Sequence, residues 1–189
     1  MGKIFFFRHG TTDENLRRTF CGITDTELKK MDKVLFPVTD VIFSSPLRRC
    51  TAYLNDPGLS GKKVIISDKL KETDFGLWEG LTFDEVMTRF PDDACKYLEN
   101  PFGFEFPSGE SFKKVSTRIE DFILIDLDCH VKSGKDILVI SHEGIIKMIL
   151  IRLFRLQDDF FFKFKIQNAK FTMLEYFGDF FMLQSLNSD

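Results

Sequence analysis

Arg8, His9, Arg49, Glu72 and His142 are the residues of this chain whose types could act together on a phosphate ester. Arg8-His9-Gly10 closes the apolar run Lys3–Phe7. Ser44-Ser45-Pro46 closes Asp40–Ser44 and leads to Arg48 and Arg49, and Ser141-His142-Glu143-Gly144 follows Asp136–Ile140. Guanidiniums grip a tetrahedral anion through paired N–H donors, and a neutral imidazole can attack phosphorus in line. A carboxyl group of raised pKa can protonate a departing alkoxide and then activate water. Two guanidiniums, two imidazoles and one carboxylate therefore suit phosphoryl transfer, where catalysis is mainly positioning and stabilisation of charge. A single Arg-His-Gly triplet proves little; the order and spacing of the segments along the chain carry the reading.

For these side chains to meet, the runs that carry them have to be strands of one sheet. Lys3–Phe7 is short and apolar without helical alternation, as expected of a buried strand; Asp40–Ser44 and Asp136–Ile140 repeat the logic, and Lys63–Ser67 reads as a further short strand. Thr26–Met31, Pro46–Leu54, Thr82–Phe90, Asp92–Leu98, Glu110–His130 and Ile145–Phe154 read as helices. Within Glu110–His130, Phe112, Val115, Ile119, Phe122 and Ile123 stripe one face. Lys170–Phe177 and Asp179–Ser185 flank Gly178 as a hairpin. The alternation predicts a three-layer α/β/α fold with a mostly parallel sheet, right-handed crossovers and an antiparallel C-terminal edge. Such sheets gather ligands at the C-terminal ends of their strands, and the helix N-terminus after His142 adds free N–H donors there.

Composition sets the bounds. The 189 residues fit one domain, 1–189, with one sizeable core. The 23 phenylalanines read first as core filler. A net charge of −3 without a block of like charges argues against a nucleic-acid or anionic-membrane partner. Cys21, Cys50, Cys95 and Cys129 lie far apart without metal-ligand spacing, so no metal is expected and a reducing cytoplasm fits best. Ile4–Phe7 is too short for a signal or membrane segment, and Phe6 breaks the N-terminal acylation pattern. Nothing in the chain speaks to oligomeric state.

Taken in order, the segments Arg8-His9-Gly10-Thr11-Thr12, Asn15, Cys21-Gly22-Ile23-Thr24-Asp25 and Ser44 to Arg49 resemble the histidine phosphatase superfamily, the phosphoglycerate-mutase-like clan. So do Leu70 to Gly76, Trp78-Glu79-Gly80, Pro107-Ser108-Gly109-Glu110-Ser111, Ser141 to Gly144 and Gln167-Asn168-Ala169, which extends the resemblance over essentially the whole chain. It implies His9 as the residue phosphorylated in the reaction, Arg8, Arg49 and His142 as the phosphate pocket, and Asn15 as an added hydrogen bond. Glu72 is implied as the proton donor and acceptor, and Arg49 rather than Arg48 is the pocket arginine. No cofactor is implied. Cys21, Gly22, Ile23 and Glu143 complete the expected substrate-binding set.

The chain departs from the family pattern in places that bear on substrate. Thr11 stands where Glu or Gln is frequent, and Thr19 where Arg is common, with Arg17 and Arg18 as neighbours able to substitute. Cys21 and Cys50 are expected to be packing thiols, with Cys21 facing the pocket. Glu143 stands where Gly is usual; its side chain has to point away from the phosphate or repel it. Residues 81–107 hold only Arg89 and Lys96 as basic groups and no Arg pair to hold a sugar-acid carboxylate, which favours a phosphatase acting on a small phosphate ester. Mutase-type transfer, an α-ribazole-phosphate substrate and a non-catalytic phosphate-binding module stand as alternatives. A lid or insertion is expected at about residues 80–110; its Phe90, Tyr97, Phe102, Phe104 and Phe106 would either close over a leaving group or pack as an ordinary loop.

Overall fold

The computed structural model describes all 189 residues. Six strands, β1 (Gly2–Arg8), β2 (Val41–Ser44), β3 (Lys63–Ile66), β4 (Ile137–Ser141), β5 (Phe171–Phe177) and β6 (Phe180–Ser188), form one sheet in the order β3-β2-β4-β1-β5-β6. The first four run parallel; β5 and β6 close the edge antiparallel, as the Gly178 turn requires. The helices are α1 (Asp13–Arg17), α2 (Arg48–Thr51), α3 (Phe83–Arg89), α4 (Pro91–Glu99), α5 (Phe112–Asp121), α6 (Asp128–Lys132) and α7 (Glu143–Leu153). No helix is long and apolar enough to cross a membrane.

Alternation along the strands explains why the runs are apolar throughout. In β4, Ile137 and Val139 enter the larger core with Ile4, Phe6, Val41 and Phe43, under the α5 and α7 side chains Ile119, Ile145 and Ile149. Leu138 and Ile140 enter the smaller core on the opposite face with Phe7, Ile42, Tyr53 and Phe171. Successive residues point to opposite faces, so a strand covered on both sides has no polar position to spare.

Three expectations need correction. Thr26–Met31 is not a helix. The segment is held instead by tertiary bonds such as Lys29 N–H to Thr11 O (2.9 Å). Pro46–Leu54 splits into the single turn α2 and a 3₁₀ turn, Ala52–Asn55. Glu110–His130 begins only at Phe112, where Ser111 caps the helix, and passes through a π-helical stretch, Phe122–Leu127, before α6. Glu110 lies outside the helix, and its carboxylate is free for another role.

Candidate active site

The C-terminal ends of β1, β2 and β4 converge. Arg8 pairs with Ser141 in register, and His9 N–H donates to Ser141 O at 3.1 Å, which brings His9 beside His142 with ring centroids 5.1 Å apart. A cavity of about 270 Å³ opens here, lined by Arg8, His9, Asn15, Cys21, Glu72 and Glu143 on the chemical side. Arg18, Thr19, Phe20, Phe75 and Phe83 form its outer wall. A larger cavity of about 460 Å³, between Ile123, Leu127, Val131 and Leu153, holds no histidine or cysteine and lies apart from these residues.

His9 is only 3% exposed, and its Nδ1 lies 2.7 Å from Gly10 O. A carbonyl only accepts, so Nδ1 carries the proton and Nε2 keeps its lone pair. Burial, with Arg49 and Arg8 adding like charge, holds its pKa well below the usual imidazole range. The backbone of this turn is pinned from below: Asn168 Nδ2 donates to His9 O (3.1 Å), Gly10 O (3.2 Å) and Asn15 Oδ1 (3.1 Å). Asn15 also closes a capping box with Thr12 at the start of α1.

Arg8 is buried. Its Nη1 donates to Glu143 Oε2 (2.7 Å) and Ile166 O (2.5 Å), while its Nε, although buried, has no partner. A buried donor left open is what an anionic oxygen would satisfy. Glu143 therefore does face the cavity, contrary to the expectation that it points away, and its charge is met by Arg8 and by Lys147 Nζ (2.9 Å). Lys147, one turn along α7, lies over the Phe161 ring at 5.2 Å.

Glu72 is 8% exposed. Its Oε1 accepts from its neighbour Thr73 N–H (3.0 Å) and its Oε2 from Gly144 N–H (3.1 Å) in the first turn of α7. Burial raises its pKa despite these donors. Gly144 is required by the approach: a Cβ there would lie 2.6 Å from Glu72 Oε1.

Arg49 and His142 are fully buried and lie behind the cavity rather than on its wall. Arg49 donates from Nε to His142 Nδ1 (3.1 Å), from Nη1 to Thr24 O (2.8 Å) and from Nη2 to Gly22 O (2.5 Å). Since an arginine N–H only donates, His142 Nδ1 is the acceptor and Nε2 carries the proton, directed to Ser45 Oγ at 2.8 Å. His142 is thus neutral, its pKa held well below the usual range by burial and then by Arg49. Arg48 is a surface charge, paired with Asp25 and Glu27.

Gly22 and Ile23 do not reach the cavity, and their backbone donors are already used. Glu79 takes Gly22 N–H (3.0 Å), Ile23 N–H (3.1 Å), Thr24 N–H (3.4 Å) and Thr24 Oγ–H (2.6 Å), together with Phe75 N–H (3.1 Å). Sequence reasoning assigned no role to Glu79, although an acid in a Trp-Glu-Gly turn with no basic neighbour was a signal. Ser45, Glu110, Arg118, Lys147 and Asn168 were likewise missed as supporting groups. Of the aromatic residues in 80–110, Phe104 and Phe106 are buried against Trp78 and Tyr97, and Phe83 is the one ring of the segment on the cavity wall.

Residues 36–189 match the sequence profile of the histidine phosphatase superfamily (branch 1). The chain belongs to the histidine phosphatase superfamily. That match starts beyond Arg8 and His9, but similarity to individual members reaches further. Phosphoserine phosphatase 1 of Hydrogenobacter thermophilus is 30% identical over 186 residues, covering 92% of this chain and 86% of the relative. The crystal structure of a phosphoserine phosphatase from Entamoeba histolytica in complex with 3-phosphoglyceric acid is 30% identical, with a TM-score of 0.78 over 100% of this chain and 98% of that one. The α-ribazole phosphatase of Shigella flexneri has a TM-score of 0.82 over 98% of this chain and 96% of its own, at 24% identity, a likeness of fold. The predicted phosphoglycerate-mutase-like α/β fold and the phosphatase family are therefore both found.

Proposed function

We propose that this member of the superfamily hydrolyses a small alkyl phosphate monoester in two displacements through His9. His9 Nε2 attacks phosphorus, forming an N–P bond as the P–O bond to the leaving alkoxide breaks; Glu72, protonated at the start, gives that oxygen its proton. Water then attacks the phosphohistidine, Glu72 takes the proton from water, the N–P bond breaks, and inorganic phosphate and neutral His9 result. Arg8, through its open Nε, and the amide of Asn15 bind the phosphoryl oxygens, with Arg49 and His142 supporting the site from behind.

The observation that carries this reading is the state of His9: neutral, with the proton on Nδ1 held by Gly10 O and a free Nε2, in a cavity that Arg8, with its unpartnered Nε, also lines. A cavity of about 270 Å³ suits a leaving group the size of an amino acid better than a ribazole. Relatives named for phosphoserine support the same choice. Hydrolysis is favoured over mutase transfer because neither Arg89 nor Lys96 lines the cavity, Lys96 being paired with Asp93. Residues 1–189 act as one domain, in which the 80–110 segment supplies a wall through Phe83. Four free thiols fit a reducing, cytoplasmic setting.

The test is rapid acid-free quenching of turnover with a ³²P-labelled phosphomonoester. Label that is stable to base, labile to acid and located on the peptide holding His9 supports the proposal, as does its absence in His9→Asn. Undiminished turnover by His9→Asn would refute it.

A further inference from the structure

The loop that carries Glu72 is fastened by a network no step of the proposed chemistry uses. Arg118, on α5, donates from Nη1 to Lys69 O (2.6 Å) and from Nη2 to Glu72 O (3.2 Å). The same guanidinium meets Glu110 in a two-pronged pair, Nη2 to Oε1 at 2.7 Å and Nε to Oε2 at 3.3 Å. Glu110 in turn accepts from Asp74 N–H (3.0 Å) and returns its own N–H to Asp74 O (2.9 Å). Both side chains are about one-fifth exposed, and each stands at a different end of the Glu72 loop, so the fork ties residues 69, 72 and 74 to one point.

Two further ties run the same way. Ser141 Oγ donates to Leu70 O at 2.9 Å, and Lys69 Nζ pairs with Asp126 at 2.7 Å. Asp126 lies in the π-helical stretch eight residues after Arg118, so one continuous helical rod grips Lys69 by both its carbonyl and its ammonium. Only the backbone of Glu72 is held in this way; its carboxyl group is left to Thr73 N–H, Gly144 N–H and the cavity.

We infer that the Arg118–Glu110 pair is a positioning device for Glu72, fixing the proton donor at the distance from the leaving oxygen that transfer requires. Arg118 touches neither substrate nor reacting atoms and acts only through the loop. The inference rests on the reading of Glu72 as the proton donor. A guanidinium suits the task because its planar fork reaches two carbonyls and a carboxylate at once; a lysine ammonium does not. Loosening the loop harms proton transfer in particular, because a misplacement on the order of 1 Å is enough to lose much of the rate.

Leaving-group dependence separates this role from a merely structural one. An alkyl alkoxide needs the proton in order to depart, whereas p-nitrophenolate departs without it. Arg118→Lys and Glu110→Gln are compared with wild type and with Glu72→Gln on phosphoserine and on p-nitrophenyl phosphate. For both positioning variants the expected result is a fall in kcat/KM, which reports the phosphorylation step without the water step that both substrates share, of about 30-fold on phosphoserine and of less than about threefold on p-nitrophenyl phosphate. The retained aryl phosphatase activity also reports that the variant is folded, and Glu110→Gln serves if Arg118→Lys does not fold. Equal losses on both substrates, or no loss on either, would overturn the inference. If Glu72→Gln shows the leaving-group-dependent loss and the positioning variants do not, the inference alone fails. If Glu72→Gln itself lacks that dependence, the proton-donor reading fails first.

Discussion

Arg8 and Glu143 form an ion pair of 2.7 Å on the wall of the cavity, so the guanidinium next to His9 in the chain is balanced by a carboxylate that faces the same cavity. The pair fixes one nitrogen of Arg8 and leaves Nε open, at the expense of a repulsive charge close to the phosphate. In Glu143→Gln the amide oxygen can still accept from Arg8, but the negative charge is gone. Inorganic phosphate is expected to inhibit this variant at a concentration roughly three- to tenfold lower than wild type, measured as the product-inhibition constant. Lys147, only 11% exposed at its side chain, loses its counter-ion, so thermal stability should fall by about 1–3 kcal/mol. An unchanged inhibition constant would mean that Glu143 serves Arg8 alone.

The pH profile follows from opposed shifts. His9 has to be neutral to attack, and its pKa is displaced downward by burial and by Arg49 and Arg8; Glu72 has to be protonated to serve the leaving group, and burial displaces its pKa upward. Activity on an alkyl phosphate should therefore rise with pH through a limb below the usual imidazole range. It should fall through a limb above the usual carboxyl range. With p-nitrophenyl phosphate, or in Glu72→Gln, the upper limb should flatten.

Stability should show the histidines in a different way. His9 and His142 are held neutral when folded, with pKa values below that of the unfolded chain, so below about pH 6.5 the unfolded state binds protons that the folded state refuses. Their contribution is intact above that pH and is lost as pH falls toward their folded values. Glu72, with its raised pKa, works in the opposite sense at lower pH. The melting temperature should decline on acidification from about pH 7 to 5, and His142→Asn should shrink that decline. A melting temperature that stays level in both proteins would contradict the neutral assignment.

Gly144→Ala separates positioning from folding. The new Cβ would meet the flexible end of Glu72 rather than backbone, so the carboxyl group shifts at little cost to the fold. Stability within about 1 kcal/mol of wild type is expected, because alanine also favours the helix. The kcat on an alkyl phosphate should fall roughly tenfold or more.

Arg49→Lys tests the support behind the cavity. One ammonium cannot reach Gly22 O, Thr24 O and His142 Nδ1 together, as the guanidinium does. A loss of about 100-fold in kcat/KM is expected, and steady-state kinetics on the folded variant would measure it. A loss below about threefold would show that the three bonds are dispensable.

Much of this arrangement was legible in the sequence, for identifiable reasons. Strands buried on both faces write themselves as apolar runs, and the residues just after β1 and β4 come together because topology gathers strand ends. What stayed hidden depended on direction rather than type. No pattern distinguishes an arginine that reaches into a cavity, as Arg8 does, from one that turns its fork on the protein, as Arg49 does. Glu143 was expected to avoid the phosphate, yet Lys147 and Arg8 together neutralise it in place. In Thr26–Met31 the Lys29 N–H is given to Thr11 O rather than to a helical partner, a contact the local pattern does not reveal. Glu110 and Arg118 are eight residues apart, and their partnership became visible only once the helix start was fixed at Phe112.

The carboxylate of Glu79 sits in a cradle of successive N–H groups from Gly22, Ile23 and Thr24, the kind of concavity that elsewhere captures a free anion. Here the captive is part of the chain. Tethering gives it an effective concentration no dissolved ion can match, so the cradle neither empties on dilution nor competes with the cavity for phosphate. The protein thereby keeps two anion-seeking surfaces side by side, one permanently saturated from within and one reserved for what arrives from outside.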